Sequence, residues 1–228
     1  MLDILDIGNT FTRIASWDGK KIRSIRRVAT ADFSGTGTGV PAVAACVRPD
    51  VKAQLAKENI KFISAFNQAS EVDFSAVDCR TLGADRVANA IALAALYPLP
   101  GVVIDCGTAV TVEFVDAEKR FLGGAIAPGR KLMRQALHCG TGLLPDVPLT
   151  ETVPVTPGCN TATAICFGTD CGAVGMIKEF IARINQIQSL QTVIFTGGDA
   201  AYFQKEFPGS IIAGDEFTLT GIRIAGGY

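Results

Sequence analysis

Two short segments nearly repeat one another about half a chain apart: Asp6-Ile7-Gly8-Asn9-Thr10 and Asp105-Cys106-Gly107-Thr108-Ala109. Each follows an apolar run, with Leu2, Ile4 and Leu5 before the first and Val102, Val103 and Ile104 before the second. Each leads into alternating apolar and polar residues, so the pattern reads as strand, turn, strand. A chain that spells this twice must build the same opening in both halves. Glycine lets backbone N–H groups come close to a phosphate, and threonine adds a neutral donor. A carboxylate cannot face a phosphate directly, so the aspartates imply a bound cation or an ordered water between the two. One such segment is as well explained by a plain turn. Two in matching context point to a duplicated unit that clamps a phosphate chain.

A chain of 228 residues has room for two small domains, and 48% hydrophobic against 19% charged residues is ample for a core. That balance is rather apolar for a monomer and points to a buried subunit interface. The net charge is −1, and no Lys/Arg cluster is interleaved with aromatics, which argues against a nucleic-acid partner. The apolar stretch Val87–Leu99 opens after Arg86 and is too short to span a membrane. Asp3 and Asp6 within the first strand are wrong for a signal peptide. Seven scattered cysteines without a C-x-x-C, and the single histidine His138, make a structural zinc site improbable. Reduced thiols in a cytoplasmic protein are the expectation.

Along the chain, strands are expected over Leu2–Ile7, Thr12–Trp17 and Lys20–Val28, the last two joined by a tight turn at Asp18-Gly19. Thr30–Gly39 reads as a loop with one helical turn, Val40–Val47 as a buried strand, Pro49–Asn59 as a helix and Ile60–Ser64 as a strand. A helix begins at Ala84 and breaks at the prolines of Tyr97–Pro100, so the halves are expected at 1–98 and 99–228. The second half again opens with a meander: Gly101–Cys106, Val110–Asp116 and Arg120–Ile126. Pro128 and Gly129 are expected to start a helix running through Arg130–His138. A long helix over Asn160–Asn185, a strand over Thr192–Thr196 and a short helix complete the reading. Two meanders, each followed by mixed helices and strands, predict an α/β fold of the two-domain, actin-like (ribonuclease-H-like) kinase type.

Gly83-Ala84-Asp85-Arg86 opens a helix with Val87, Ala90, Ile91, Ala94 and Ala95 expected on its inner face. The arginine could grip a substrate carboxylate and the aspartate could take a proton from an attacking hydroxyl. The same residues could equally be a helix start with a favourable acid and a salt-bridged arginine. Gly123-Gly124-Ala125-Ile126-Ala127-Pro128-Gly129 permits close backbone approach, or merely a tight crossover. Asn160 and Thr161 sit at a helix start, where either could cap and Thr161 could reach a polar substrate. Thr196-Gly197-Gly198-Asp199 ends a strand, where paired glycines could admit a flat adenine.

Taken together, these segments resemble the type III pantothenate kinases. The match rests on Asp6–Thr10, Gly83–Arg86, Asp105–Ala109 and Phe121–Gly129, with Asn160-Thr161, Thr196–Ala200 and Phe217–Gly221 in the same order. The resemblance implies ATP-dependent phosphorylation of pantothenate to 4′-phosphopantothenate, the first step of coenzyme A biosynthesis. It implies that Asp6, Ile7, Gly8, Asn9, Thr10, Phe11, Thr12 and Arg13 form one ATP loop and Thr108 the other. Gly83, Ala84, Asp85 and Arg86 would hold pantothenate, with Asp85 as proton acceptor. Asp105 would bind a monovalent cation, K⁺ or NH₄⁺, and Mg²⁺ would accompany ATP. The family is a homodimer, so Thr161 of the partner subunit would touch the substrate, and the long apolar helix that carries it (Ala162, Ile165, Phe167, Val174, Ile177) is expected to pair with its symmetry mate. The stretch Asp78–Leu82 lacks the aromatic residue that family members usually carry there. That departure leaves open a kinase for another small hydroxy acid. A catalytically silent regulatory relative is the third alternative, although Asp6, Asp85 and Asp105 are all present.

Overall fold

The computed structural model describes residues 1–228 and holds two five-stranded sheets built on one plan. The first sheet comprises β1 (Leu2–Ile7), β2 (Phe11–Trp17), β3 (Ile22–Ala29), β4 (Ala42–Cys46) and β5 (Ile60–Phe62). The second comprises β6 (Gly101–Cys106), β7 (Ala109–Val115), β8 (Phe121–Pro128), β9 (Thr192–Thr196) and β10 (Ile211–Ile212). Their orders are β3-β2-β1-β4-β5 and β10-β9-β6-β7-β8, the same topology read from opposite ends. In each, a three-stranded antiparallel meander is extended by two parallel strands. The helices are α1 (Pro49–Gln54), α2 (Ala84–Leu96), α3 (Arg130–Gly140), α4 (Thr161–Ile187), α5 (Ala200–Gln204) and α6 (Glu216–Gly226).

Strand alternation decides which residue faces which layer. Leu2 and Ile4 of β1 enter a central core of α2 (Val87, Ala90, Ile91), α6 (Phe217, Ile222) and the facing strand residues Val103 and Val115. Leu5 and Ile7 turn the other way, onto Val51 of α1, Leu55 and Phe33. On the second sheet, Val102, Ile104 and Cys106 face outward onto Val174 and Ile177 of α4 and Phe203 of α5. The middle layer, α2 with α6, is therefore gripped by both sheets. Full burial of Ile91 and Leu93 in it is worth roughly 1.5–3 kcal/mol per side chain. Asp6 continues the inward parity of Leu2 and Ile4, and Asp105 that of Val103. Both acids thus emerge at strand ends on the inner faces of their sheets.

Several elements depart from the sequence expectations. Ala95, expected on the inner face of α2, is exposed near the end of that helix. The first helix stops at Gln54 instead of Asn59, because the chain must turn to bring Ile60 beside Ala42 in the β4–β5 pairing. Pro128 closes β8, paired with Ala109, and the helix starts only after Gly129. A residue without an N–H fits the end of an edge strand. The helix α6, not anticipated, leaves the second sheet and packs on α2, β1 and β4. Of the apolar residues that the long helix was expected to offer a partner, Ile165, Val174 and Ile177 are buried within this chain, Phe167 is half-buried and Ala162 is exposed. The exposed positions of this helix include the small residues Ala164, Gly168, Gly172 and Gly175 and, further along, Lys178, Glu179, Arg183 and Ile187.

Candidate active site

The turn after β1 closes with the Gly8 N–H donating to the Phe11 carbonyl at 3.1 Å. That closure sets Asp6 opposite Arg13 in the β1–β2 register. Arg13 Nε and Nη2 both donate to Asp6 Oδ2, at 2.9 and 2.6 Å. Two residues of this loop face away from the cleft. Ile7 belongs to the outer core, and Thr12 lies 3.0 Å, Oγ1 to Oγ1, from Thr30. Thr30 donates to the Gly8 carbonyl at 2.9 Å, so Thr12 donates to Thr30 and the pair braces the turn from behind. Asn9, Thr10 and Phe11 remain exposed at the rim.

The turn after β6 closes similarly, with the Gly107 N–H donating to the Ala109 carbonyl at 3.0 Å. No arginine pairs with Asp105. Its Oδ2 accepts from Asn89 Nδ2 at 3.2 Å, and Asn89 Oδ1 accepts from Thr218 Oγ1 at 2.9 Å. Burial pushes the Asp105 carboxyl up to about 6; the charges of Asp6 and Asp85 add to the rise, while Asn89 and Arg13 oppose it. Oδ1 accepts no hydrogen bond and looks toward Gly197. A Cβ at Gly197 would lie 2.5 Å from that oxygen and 2.6 Å from the Cys106 carbonyl, and φ is +89°, so only glycine fits. The Asp199 N–H donates to the Cys106 carbonyl at 2.9 Å and pins this glycine turn to the end of β6. Thr10 Oγ1 and Thr108 Oγ1 are 3.1 Å apart. The two turns meet tip to tip.

The third element comes from α2. Gly83 precedes it in an extended conformation, and Asp85 Oδ1 accepts the Arg86 backbone N–H at 2.8 Å. Its Oδ2 takes no protein hydrogen bond. Burial holds the Asp85 carboxyl above the usual carboxylate range, and the Asp6 charge adds to this against the Arg86 backbone bond. Arg86 does not stand free: Nε donates to Glu113 Oε1 and Nη2 to the Val112 carbonyl, each at 2.9 Å. The structure brings Asp6, Thr10, Arg13, Asp85, Asp105 and Thr108 to one cleft. It leaves Thr161 exposed at the first turn of α4, without a hydrogen bond to any of them; Asn160 is the N-cap, accepting from the Thr163 N–H.

Sequence reasoning missed Asn89, Glu113 and Thr218. Only Asn89, among Ala88, Ala90 and Ile91, stands out as a lone polar residue in an apolar run; Glu113 continues the alternation of Thr111 and Val112, and Thr218 lies inside the Phe217–Gly221 segment without a role assigned to it. No three Asp, Glu, His or Cys side chains cluster as a metal site. The free Asp105 oxygen beside the Cys106 carbonyl is nonetheless a hard, oxygen-only pair, suited to an alkali or alkaline-earth cation that takes its remaining ligands from phosphate or water.

A model of the type III pantothenate kinase family matches residues 36–183. A relative named type III pantothenate kinase 1 from Francisella tularensis is 32% identical over 99% of this chain and 96% of its own length. One named type III pantothenate kinase from Methylacidiphilum infernorum is 31% identical over 98% of this chain and 87% of its own. Another of that name from Akkermansia muciniphila is 39% identical, but that match spans only 65% of this chain and 61% of the relative. Among solved structures, a conserved putative Baf family transcriptional activator from Campylobacter jejuni superposes with a TM-score of 0.69 at 20% identity, covering 97% of this chain and 95% of that one. A putative 2-dehydro-3-deoxygalactonokinase from Sinorhizobium meliloti gives 0.60 at 13% identity, covering 99% and 96%. These two show the fold, which is the actin-like kinase fold. No helix is long and apolar enough to cross a membrane. With near full-length relatives above 30% identity, the chain belongs to the type III pantothenate kinase family, the enzymes of ATP-dependent pantothenate phosphorylation in coenzyme A biosynthesis.

Proposed function

We propose that this chain phosphorylates the primary hydroxyl of pantothenate with Asp85 as proton acceptor and the two strand turns as the ATP clamp. The observation that carries the reading is the 3.1 Å contact between Thr10 and Thr108, which closes two equivalent phosphate loops on one point. A phosphate chain entering there would exchange that single hydroxyl contact for donors from both tips. The substrate oxygen forms its bond to the γ-phosphorus while the bond to the β,γ-bridging oxygen breaks, releasing ADP. An alcohol is a poor nucleophile at neutral pH, so its proton passes to Asp85 Oδ2, the oxygen left free by the helix terminus. Because the transition state of phosphoryl transfer is loose, most of the catalysis is positioning and charge stabilisation. Mg²⁺ carried with ATP would neutralise charge on the β- and γ-phosphates.

Asp105 Oδ1 would hold a monovalent cation, K⁺ or NH₄⁺, which separates this carboxylate from the incoming phosphate. The working unit would be a homodimer in which Thr161 of the partner subunit reaches pantothenate; the small exposed positions of α4 would allow close helix approach. Seven free thiols support a reducing, cytoplasmic setting.

A coupled assay of ADP release, with and without pantothenate and with K⁺ or Na⁺ as the salt, tests the reading. ADP release that needs both pantothenate and K⁺ is expected; release indifferent to pantothenate overturns it. Sedimentation showing a fully active monomer at micromolar concentration would overturn the dimer.

A further inference from the structure

Glu113 stands at the centre of β7, fully buried, and nothing in the phosphate loops or the proton-transfer step uses it. It faces inward with Val115, toward the helix layer. Its Oε1 accepts from Arg86 Nε at 2.9 Å, while its Oε2 is buried with no hydrogen-bond partner. Burial pushes the Glu113 carboxyl up to about 8 against the pull of the Arg86 charge, and a sealed carboxyl with one unsatisfied oxygen calls for a role, here that of holding something in place. What it holds is the guanidinium. The Val112 carbonyl takes Nη2 at 2.9 Å, so two of the three arginine nitrogens are fixed from one side. Nη1 is the nitrogen left without a protein partner, on a side chain that is 14% exposed.

The strand opposite is shaped to the same end. Gly124 is paired with Glu113 across β7 and β8, with φ at +158°. A Cβ there would lie 1.6 Å from the Val112 carbonyl oxygen and 3.2 Å from Arg86 Nη2. Any side chain at this position would take the space of the hydrogen bond that seats the guanidinium. Two segments that the sequence analysis kept apart, the Gly83–Arg86 turn and the paired glycines of β8, therefore meet at one arginine.

We propose that Glu113, with Gly124 making room, is a positioning residue that fixes the Arg86 guanidinium so that Nη1 is presented to the carboxylate of the acidic substrate. This rests on the reading above in which Arg86 meets the pantothenate carboxylate. A pre-oriented planar donor loses less freedom on binding than a mobile one. The contribution therefore falls on substrate affinity and leaves the chemical step largely alone.

The test is a double-mutant cycle of Arg86→Ala with Glu113→Ala, alongside Glu113→Gln, measured in steady state with ATP and pantothenate varied separately. Arg86→Ala is expected to raise KM for pantothenate by about tenfold or more, the scale of a charge-assisted hydrogen bond. Glu113→Ala should raise the same KM by a similar factor, with kcat and KM for ATP within about threefold, since it removes only binding. Glu113→Gln keeps an acceptor for Nε and should recover much of the loss. On the Arg86→Ala background, Glu113→Ala should add almost nothing.

If Arg86→Ala leaves KM for pantothenate unchanged, the carboxylate reading fails, and the positioning role falls with it. If Arg86→Ala raises KM but Glu113→Ala does not, or does so additively, only the positioning role is overturned. Should Glu113→Ala not fold, Glu113→Gln decides the matter. A two- to fivefold rise in KM for pantothenate that vanishes on the Arg86→Ala background supports the proposal, and its absence overturns it.

Discussion

The turns after β1 and β6 share a backbone device and differ in charge. Both leave an inward-facing aspartate at the end of a strand, both close with a glycine N–H, and their threonines touch. Asp6 is held by two nitrogens of Arg13, its neighbour in register. At the matching place opposite Asp105, β7 carries Thr111, and Asp105 receives only an amide from Asn89. The first carboxylate has its cation built into the chain; the second has none, and burial drives its pKa to about 6. The two halves share one plan and differ in charge at the turns. On the proposed reading, that difference is why an outside cation would be needed at one turn only.

The largest expected effect lies between the turns, at Asp85. Asp85→Asn should lower kcat by roughly 10²–10⁴-fold, the usual range for a positioned proton acceptor. KM for ATP should hardly change, because the proposed clamp is made by the turns. A variant that kept near-normal kcat would reduce Asp85 to a helix-start residue, its Oδ1 serving only the Arg86 N–H.

The next two changes exchange the charge states of the turns. Asp105→Asn should raise KM for ATP about tenfold and flatten the response to K⁺, since a neutral amide loses the charge-assisted hold on a cation. A K⁺ titration with unchanged amplitude would break the contrast. Arg13→Met should leave Asp6 partly buried beside other carboxylates, destabilising the fold by about 1–3 kcal/mol. Removing the orphaned charge as well, in Asp6→Asn with Arg13→Met, should restore most of the lost melting temperature without restoring ATP affinity. If the double variant is as unstable as Arg13→Met alone, the pair is not what balances the first turn.

Much of this cleft was legible in the sequence because it is written in local signals. Strand parity assigns Asp6 to the face of Leu2 and Ile4, and Gly-x-x-Arg spacing puts Asp85 and Arg86 in a first helical turn. What stayed hidden depends on distant pairing. Glu113 reads as a solvent-facing residue in an alternating strand until α2 is laid across it. Asn89 and Thr218, far apart in sequence, become one relay to Asp105 only because α6 returns to the middle layer. The helix α6 itself was obscured because Phe217–Gly221 was read as a motif without its periodicity. The apolar stripe of α4 was assigned to a partner because periodicity reports burial without saying against what.

The smallest effect tests whether the turns are equivalent as phosphate donors despite their charges. Thr10→Val and Thr108→Val each remove one hydroxyl while keeping the shape of the tip. The lost Oγ–Oγ bond is exposed, so water replaces it and stability should change by less than about 0.5–1 kcal/mol. Each hydroxyl is expected to donate to the bound phosphate chain, so each variant should raise KM for ATP by a few-fold, on the scale of a neutral donor. If each hydroxyl donates to the phosphate chain on its own, the combined variant should lose about the sum of both in ATP affinity, while the stability losses overlap in the one bond that the tips share. Equal shifts in the two single variants would mean that duplication preserved the donors and changed only the carboxylate environments. A shift confined to Thr108→Val would mean that the first turn acts through Arg13 and backbone groups, and that the two halves have diverged in their donors as well as in their charges.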